Sequence, residues 1–179
     1  MKIVLCHTDI EGNACATGLY AHSALGRNHQ PMFVPEGQWQ LAFAPAVRIS
    51  RLGLAIEPTF ASRYRDAATV AAMLRPAPGN DCTPAMLAIT DNAVVAGDWM
   101  PIIDLAQPLR VDRDGATPLT AAEIDNAIST LSLSGTWRTG DILIFESHAS
   151  APTDVVLSHK PVTTSLVGAP DTLLNVRTL

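Results

Sequence analysis

Short apolar runs cut by Pro, Gly, Asp and Asn recur along almost the whole chain, and this rhythm points to a β-rich domain. Runs at 2–6, 31–34, 40–50, 86–90, 93–96, 142–146, 154–158, 162–167 and 173–178 each predict a strand. The longest ends in clear alternation, with Val47 and Ile49 on one face and Arg48 and Ser50 on the other. Its first half, Gln40-Leu41-Ala42-Phe43-Ala44-Pro45, carries no charge at all. Two segments read as helices. Pro58 stands at an early helical position after Glu57, with Phe60 and Tyr64 four apart. Thr120-Ala121-Ala122-Glu123 is a capping box before Ile124, Ile128 and Leu131, which predicts a helix over 121–131. Arg75-Pro76-Ala77-Pro78-Gly79-Asn80-Asp81 reads as a loop. Many strands with few helices give an α+β, β-rich class.

A chain of 179 residues, 47% hydrophobic and only 16% charged, buries one core as a single domain. Its net charge of −5 argues against nucleic acid and anionic membrane as partners, since both attract basic patches. No apolar run approaches a membrane span, and Met1-Lys2-Ile3-Val4-Leu5-Cys6 gives way to Asp9 and Glu11, unlike a signal peptide. The three cysteines, Cys6, Cys15 and Cys82, form no C-x-x-C, so a cytoplasmic protein with reduced thiols is the expectation.

Arg48-Ile49-Ser50-Arg51-Leu52-Gly53, followed by Phe60-Ala61-Ser62-Arg63-Tyr64-Arg65-Asp66, resembles the fumarylacetoacetate hydrolase family, with its R-I-x-R-x-G and F-A-x-R-Y-x-D segments. Thr90-Asp91-Asn92-Ala93-Val94-Val95-Ala96-Gly97-Asp98-Trp99 is similar to the family's F-D-G-x-x-x-x-G-x-W. Thr139-Gly140-Asp141 matches its T-G-D, and Leu173 to Arg177 its closing strand. The matches keep the family's order from about residue 46 onward. The resemblance implies one domain over 1–179 with a divergent part at 1–45. It also implies a mixed β-sandwich roll with two short helices, often dimeric. Active members hydrolyse or decarboxylate acylpyruvates and related keto acids with Mg²⁺ or Mn²⁺.

Such a cation wants oxygen ligands, and the family supplies them as E-x-E before the V-R-I run plus a later aspartate. By the resemblance these positions are Ala42, Ala44 and Met73, and the family's lysine falls on about Ala88. No acidic residue lies between Glu36 and Glu57, so a slipped register changes nothing. The expectation is therefore no cofactor, and a former site packed by Ala42, Ala44 and Met73 with little cavity left. The family's G-T-P-x-G is replaced by Glu146-Ser147-His148-Ala149-Ser150. Ser147 and Asp91 are the substrate-binding positions that the resemblance implies. Glu146 would repel a carboxylate and narrow the pocket. The family's N-terminal R-N-Y falls on His7-Thr8-Asp9, without the arginine.

Other groupings have plain readings. Cys6 and His7 are neighbours on a strand and point to opposite faces, so Cys6 reads as a buried cysteine. His7, Glu11, His22 and His29 match no zinc spacing and read as polar groups in a long loop. Glu146 and His148, two apart on a strand, share a face as a candidate dyad or as a solvent-facing pair. Two functional classes follow. One is a non-catalytic binding or assembly subunit, as a homodimer or with an active paralogue. The other is a metal-independent hydrolase or decarboxylase of small keto acids, with Ser147, His148 and Glu146 as catalytic candidates. A filled or apolar pocket would favour the first, and converging polar groups the second.

Overall fold

The computed structural model describes all residues other than 10, 12, 103, 104, 156 and 157, and only the backbone of 158–160. Within these the strands are β1 (Ile3–Thr8), β2 (Ala14–Tyr20), β3 (Leu25–Arg27), β4 (Pro31–Met32), β5 (Trp39–Ile49) and β6 (Arg65–Pro76). They continue with β7 (Val94–Ala96), β8 (Met100–Pro101), β9 (Ile142–Phe145), β10 (Thr153–Asp154), β11 (Ser158–Thr164) and β12 (Leu174–Thr178). The helices are α1 (Pro84–Ile89) and α2 (Ala121–Ser132), with 3₁₀ turns at His22–Ala24, Pro58–Tyr64 and Glu146–His148.

A large mixed sheet runs β2-β1-β9-β5-β6-β7-β3, with β10 on β5 and β8 on β6; a small one runs β11-β12-β4. The β1/β9, β3/β7 and β4/β12 pairs are parallel and the other pairs antiparallel. The observed class is the expected α+β, β-rich one. Its spine is the β5/β6 ladder, from Trp39 opposite Pro76 to Ile49 opposite Arg65.

The spine explains the chargeless start of β5. Residues 41–47 and 67–74 are all buried, because both faces of this ladder are covered. A strand buried on both faces loses its polar alternation and reads as a continuous apolar run. Polar residues return only near the end, where Arg48 pairs with Asp66 at 2.9 Å. Pro45 is tolerated because it falls where one edge of β5 changes partner, after β10 at 40–41 and before β9 at 46–48.

α2 forms as its sequence signals. Thr120 Oγ1 accepts from the Glu123 amide at 3.2 Å, and the Glu123 carboxylate accepts from the Thr120 amide at 2.7 Å. Ile124, Ala127 and Ile128 then turn to the core. The indole of Trp137, 1% exposed, donates to the Ile128 carbonyl at 3.0 Å. Phe43, Phe145 and Trp137 are among the largest buried side chains, and burial of each aromatic of this size is worth about 1.5–3 kcal/mol or more.

Several local expectations are corrected. Residues 86–90 do not form a strand: Thr83 caps the Met86 amide and Pro84 opens helix α1. The Phe60/Tyr64 segment is helical only as a 3₁₀ turn. The supposed loop around His22 contains β2 and β3. Arg75 belongs to β6 and not to a loop; four alanines in that strand mask its β character. The 142–146 run ends at Phe145, and Glu146 opens a turn. The 162–167 strand is observed at 158–164, while part of the 154–158 expectation lies outside the described residues.

Candidate active-site cavity

Cross-strand register brings together the positions to which the resemblance assigns a metal. Ala42 is the direct partner of Met73 and Ala44 of Ala71, so all four share one face of the β5/β6 ladder. Facing Cβ atoms in such a pair stand about 4.5–5.5 Å apart. At the positions where the resemblance implies carboxylates, this face carries two methyl groups and a thioether. Ala42 and Ala44 are 0% exposed and Met73 is 1% exposed. Mg²⁺ and Mn²⁺ demand hard oxygen ligands, so these residues do not fit either ion. Among the described residues no three His, Cys, Asp or Glu side chains are grouped to hold a metal, and His7, Glu11, His22 and His29 are each exposed on separate elements.

Ala42 and Ala44 are sealed within the sheet, and a cavity remains only beside Met73. Above Met73 an open cavity of about 360 Å³ lies between β2, the end of β6, α1 and the Glu146 turn. Of Ala42, Ala44 and Met73, only Met73 lines it. The volume persists because α1 stands over the sheet as a separate wall. Ala88 on α1 presents a methyl where the resemblance implies a lysine, and its carbonyl accepts from the Ala21 amide at 2.9 Å. Gly18 forms part of the β2 wall; a Cβ there would stand 3.2 Å from Leu5 Cδ1.

The charges in this cavity were not legible from motifs. Arg75 follows Met73 by two on β6, so both side chains line the cavity. Its Nη2 donates to Glu146 Oε1 at 3.1 Å, and Thr17 Oγ1 donates to Glu146 Oε2 at 2.5 Å. Glu146 does line the cavity, and the sequence reading did not foresee that Arg75 pairs with it there. The side chains of Arg75 and Glu146 are 35% and 21% exposed. Burial pushes the Tyr20 phenol up to about 12, with Glu146 adding to the rise and Arg75 opposing it. The hydroxyl is thus neutral at physiological pH. Burial likewise pushes the Cys6 thiol up to about 12, helped by Cys15 and Glu146. A protonated buried thiol is a poor nucleophile.

Ser147 and His148 do not line the cavity. Ser147 Oγ accepts from the Thr8 amide at 3.1 Å and lies 2.8 Å from Thr8 Oγ1. The His148 ring is buried, with Nε2 3.3 Å from Thr8 Oγ1 and 3.6 Å from Glu123 Oε1, and Nδ1 3.1 Å from Thr117 Oγ1. The shared strand face expected for Glu146 and His148 does not exist, because both lie in a 3₁₀ turn. Asp91 is exposed in the turn after α1 and is not part of the cavity wall. Sequence reading missed Arg75, Thr17 and Tyr20. Extending the period-two alternation from Met73 would have found Arg75; Thr17 and Tyr20 lie on a strand hidden in a polar segment.

Solved structures match this architecture across almost the whole chain. A 2-hydroxyhepta-2,4-diene-1,7-dioate isomerase from Mycobacterium marinum superposes with a TM-score of 0.74 at 16% identity, over 99% of this chain and 74% of that one. A fumarylacetoacetate hydrolase family protein from Yersinia pestis gives 0.69 at 18% identity, over 99% and 92%. The chain has the fumarylacetoacetate hydrolase fold. A fumarylpyruvate hydrolase from Pseudomonas aeruginosa, solved with Mn²⁺ and pyruvate, gives 0.67 at 12% identity over 100% and 89%. No protein-family model and no curated protein matches the sequence. At these identities the fold is what the likeness establishes. Among the described residues no helix is long and apolar enough to cross a membrane.

Proposed function

We propose that this chain is a non-catalytic, ligand-binding or assembly subunit on the fumarylacetoacetate hydrolase fold, without metal-dependent acylpyruvate chemistry. The observation that carries this reading is the buried Ala42/Met73 pair with Ala44 beside it, at the positions where the resemblance implies metal ligands. Cleavage or decarboxylation of a keto acid builds negative charge on the enolate oxygens, and several kcal/mol of stabilisation must come from a cation or preorganised donors. The Arg75 guanidinium is a cation in this cavity, but Glu146 already engages it.

The cavity is open and partly polar, which supports a binding role. A metal-independent enzyme built on Ser147, His148 and Glu146 would need the three to converge. Ser147 and His148 are instead tied to Thr8, which weighs against that alternative. A homodimer or a heteromer with an active paralogue, free of nucleic acid and membrane, belongs to the same proposal. So does a cytoplasmic location, supported by three cysteines without a disulfide.

The test is turnover of acetylpyruvate and oxaloacetate with and without Mn²⁺. The expected result is no rate above the uncatalysed reaction in either condition. Turnover that requires Mn²⁺, or metal-free turnover lost in a Ser147→Ala, His148→Ala double variant, overturns the reading.

A further inference from the structure

We infer that the cavity between β2, β6 and α1 takes a zwitterionic α-amino acid with an apolar side chain, its carboxylate on Arg75 and its ammonium on Glu146. This rests on the reading that the metal chemistry is lost, and it names the ligand class of the same site.

The charge arrangement carries the argument. Arg75 and Glu146 stand 3.1 Å apart on one wall, both partly exposed to the cavity. An anion brought to Arg75 meets the Glu146 carboxylate beside it, and a cation brought to Glu146 meets the guanidinium. A ligand with a single charge therefore gains little, whereas one carrying both charges on neighbouring atoms matches the pair. Hydrogen-bonding capacity is also available. A guanidinium has five N–H donors, and the described partner of Arg75 is Glu146 through Nη2. A carboxylate offers about four acceptor sites, and Glu146 has two described partners, Arg75 and Thr17.

The remaining walls suit the side chain of such a ligand. Leu5, Met73, Leu87 and Ala88 line the cavity with apolar groups. The volume of about 360 Å³ lies at the small end of the range of roughly 300–1,000 Å³ for ligand cavities, as a small metabolite requires. A keto acid dianion of the kind bound by active members is the wrong ligand for this wall, since its second charge would face Glu146.

Isothermal titration with L-leucine and L-methionine tests the inference against leucinamide, 4-methylpentanoate and oxaloacetate. The expected result is one site per chain for an amino acid. Both single-charge analogues should bind about tenfold or more weakly, because each loses one charge-assisted contact. Glu146→Gln should lower leucine affinity by a similar factor and erase the preference over 4-methylpentanoate, with an unchanged melting transition as the check on folding. Absence of amino-acid binding at millimolar concentration overturns the inference. So does 4-methylpentanoate binding as tightly as leucine, or an unaltered leucine affinity in Glu146→Gln. Mn²⁺-dependent keto-acid turnover would instead strike the underlying reading, so the two failures are told apart.

Discussion

Glu146 and His148 are two residues apart in one 3₁₀ turn, yet they serve opposite environments. Glu146 turns to the cavity, where Arg75 and Thr17 hold it at a half-open wall. His148 turns to the interior, where Thr8, Thr117 and Glu123 surround its ring and Phe145 packs edge-on at 6.5 Å between centroids. Had this segment continued as a strand, residues two apart would share a face. With three residues per turn they point roughly 120° apart about the axis instead. The difference teaches that the turn divides labour: one end offers charge to a ligand, and the other fastens β1, α2 and the 117 loop together.

The largest expected effect that sharpens this contrast is on the interior side. His148→Leu keeps bulk but leaves Thr8 and Thr117 without a ring partner, and it should cost about 2–4 kcal/mol in urea unfolding. A cost under about 1 kcal/mol would break the contrast, since it would mean that water readily replaces the imidazole.

On the cavity side the same measurement should barely move. Arg75→Met combined with Glu146→Gln removes a partly exposed ion pair without leaving a lone charge, and stability should change by less than about 1 kcal/mol. A larger loss would make the pair a structural clamp and not a ligand-facing one.

The smallest effect is a pH dependence on the interior side. Burial opposes ionisation of Glu123, but hydrogen bonds from the Thr120 hydroxyl and amide, with His148 nearby, outweigh it and hold the carboxyl below its ordinary value of 4.5. A depressed folded-state value contributes stability above the unfolded value, and that contribution is lost as pH falls through the folded one. Glu123→Gln should therefore flatten the decline of the melting temperature with acidity below about pH 4.5. An unchanged acid limb would show that the cap does not couple to the fold.

The fold class was legible in the sequence because Pro, Gly, Asp and Asn cut the apolar runs where strands end. The α2 cap was legible because Thr120 and Glu123 alone can make both bonds. The β6 strand was obscured by Ala67, Ala68, Ala71 and Ala72, which are small enough for a ladder covered on both faces yet carry weak β preference. The absence of carboxylates at 42, 44 and 73 could be read directly, but the charge that lines the cavity could not. Arg75 becomes part of the site only once β6 is known to extend past Met73, and Glu146 finds its partner 71 residues away. Thr8 and His148, 140 positions apart, meet only through the fold.

The parallel pairing of β1 with β9 has a consequence for how the protein is made. The Lys2 amide bonds Asp141 and Ile3 registers with Ile142, so β1 has one ladder partner that emerges from the ribosome some 139 residues later. At roughly 5–20 residues per second, this hairpin of β1 and β2 waits on the order of ten seconds or more with one edge bare. Leu5 and Tyr20, which shape the cavity, wait with it. The β1/β2 hairpin closes over a short sequence interval, but its second edge is completed only after β9 has been made.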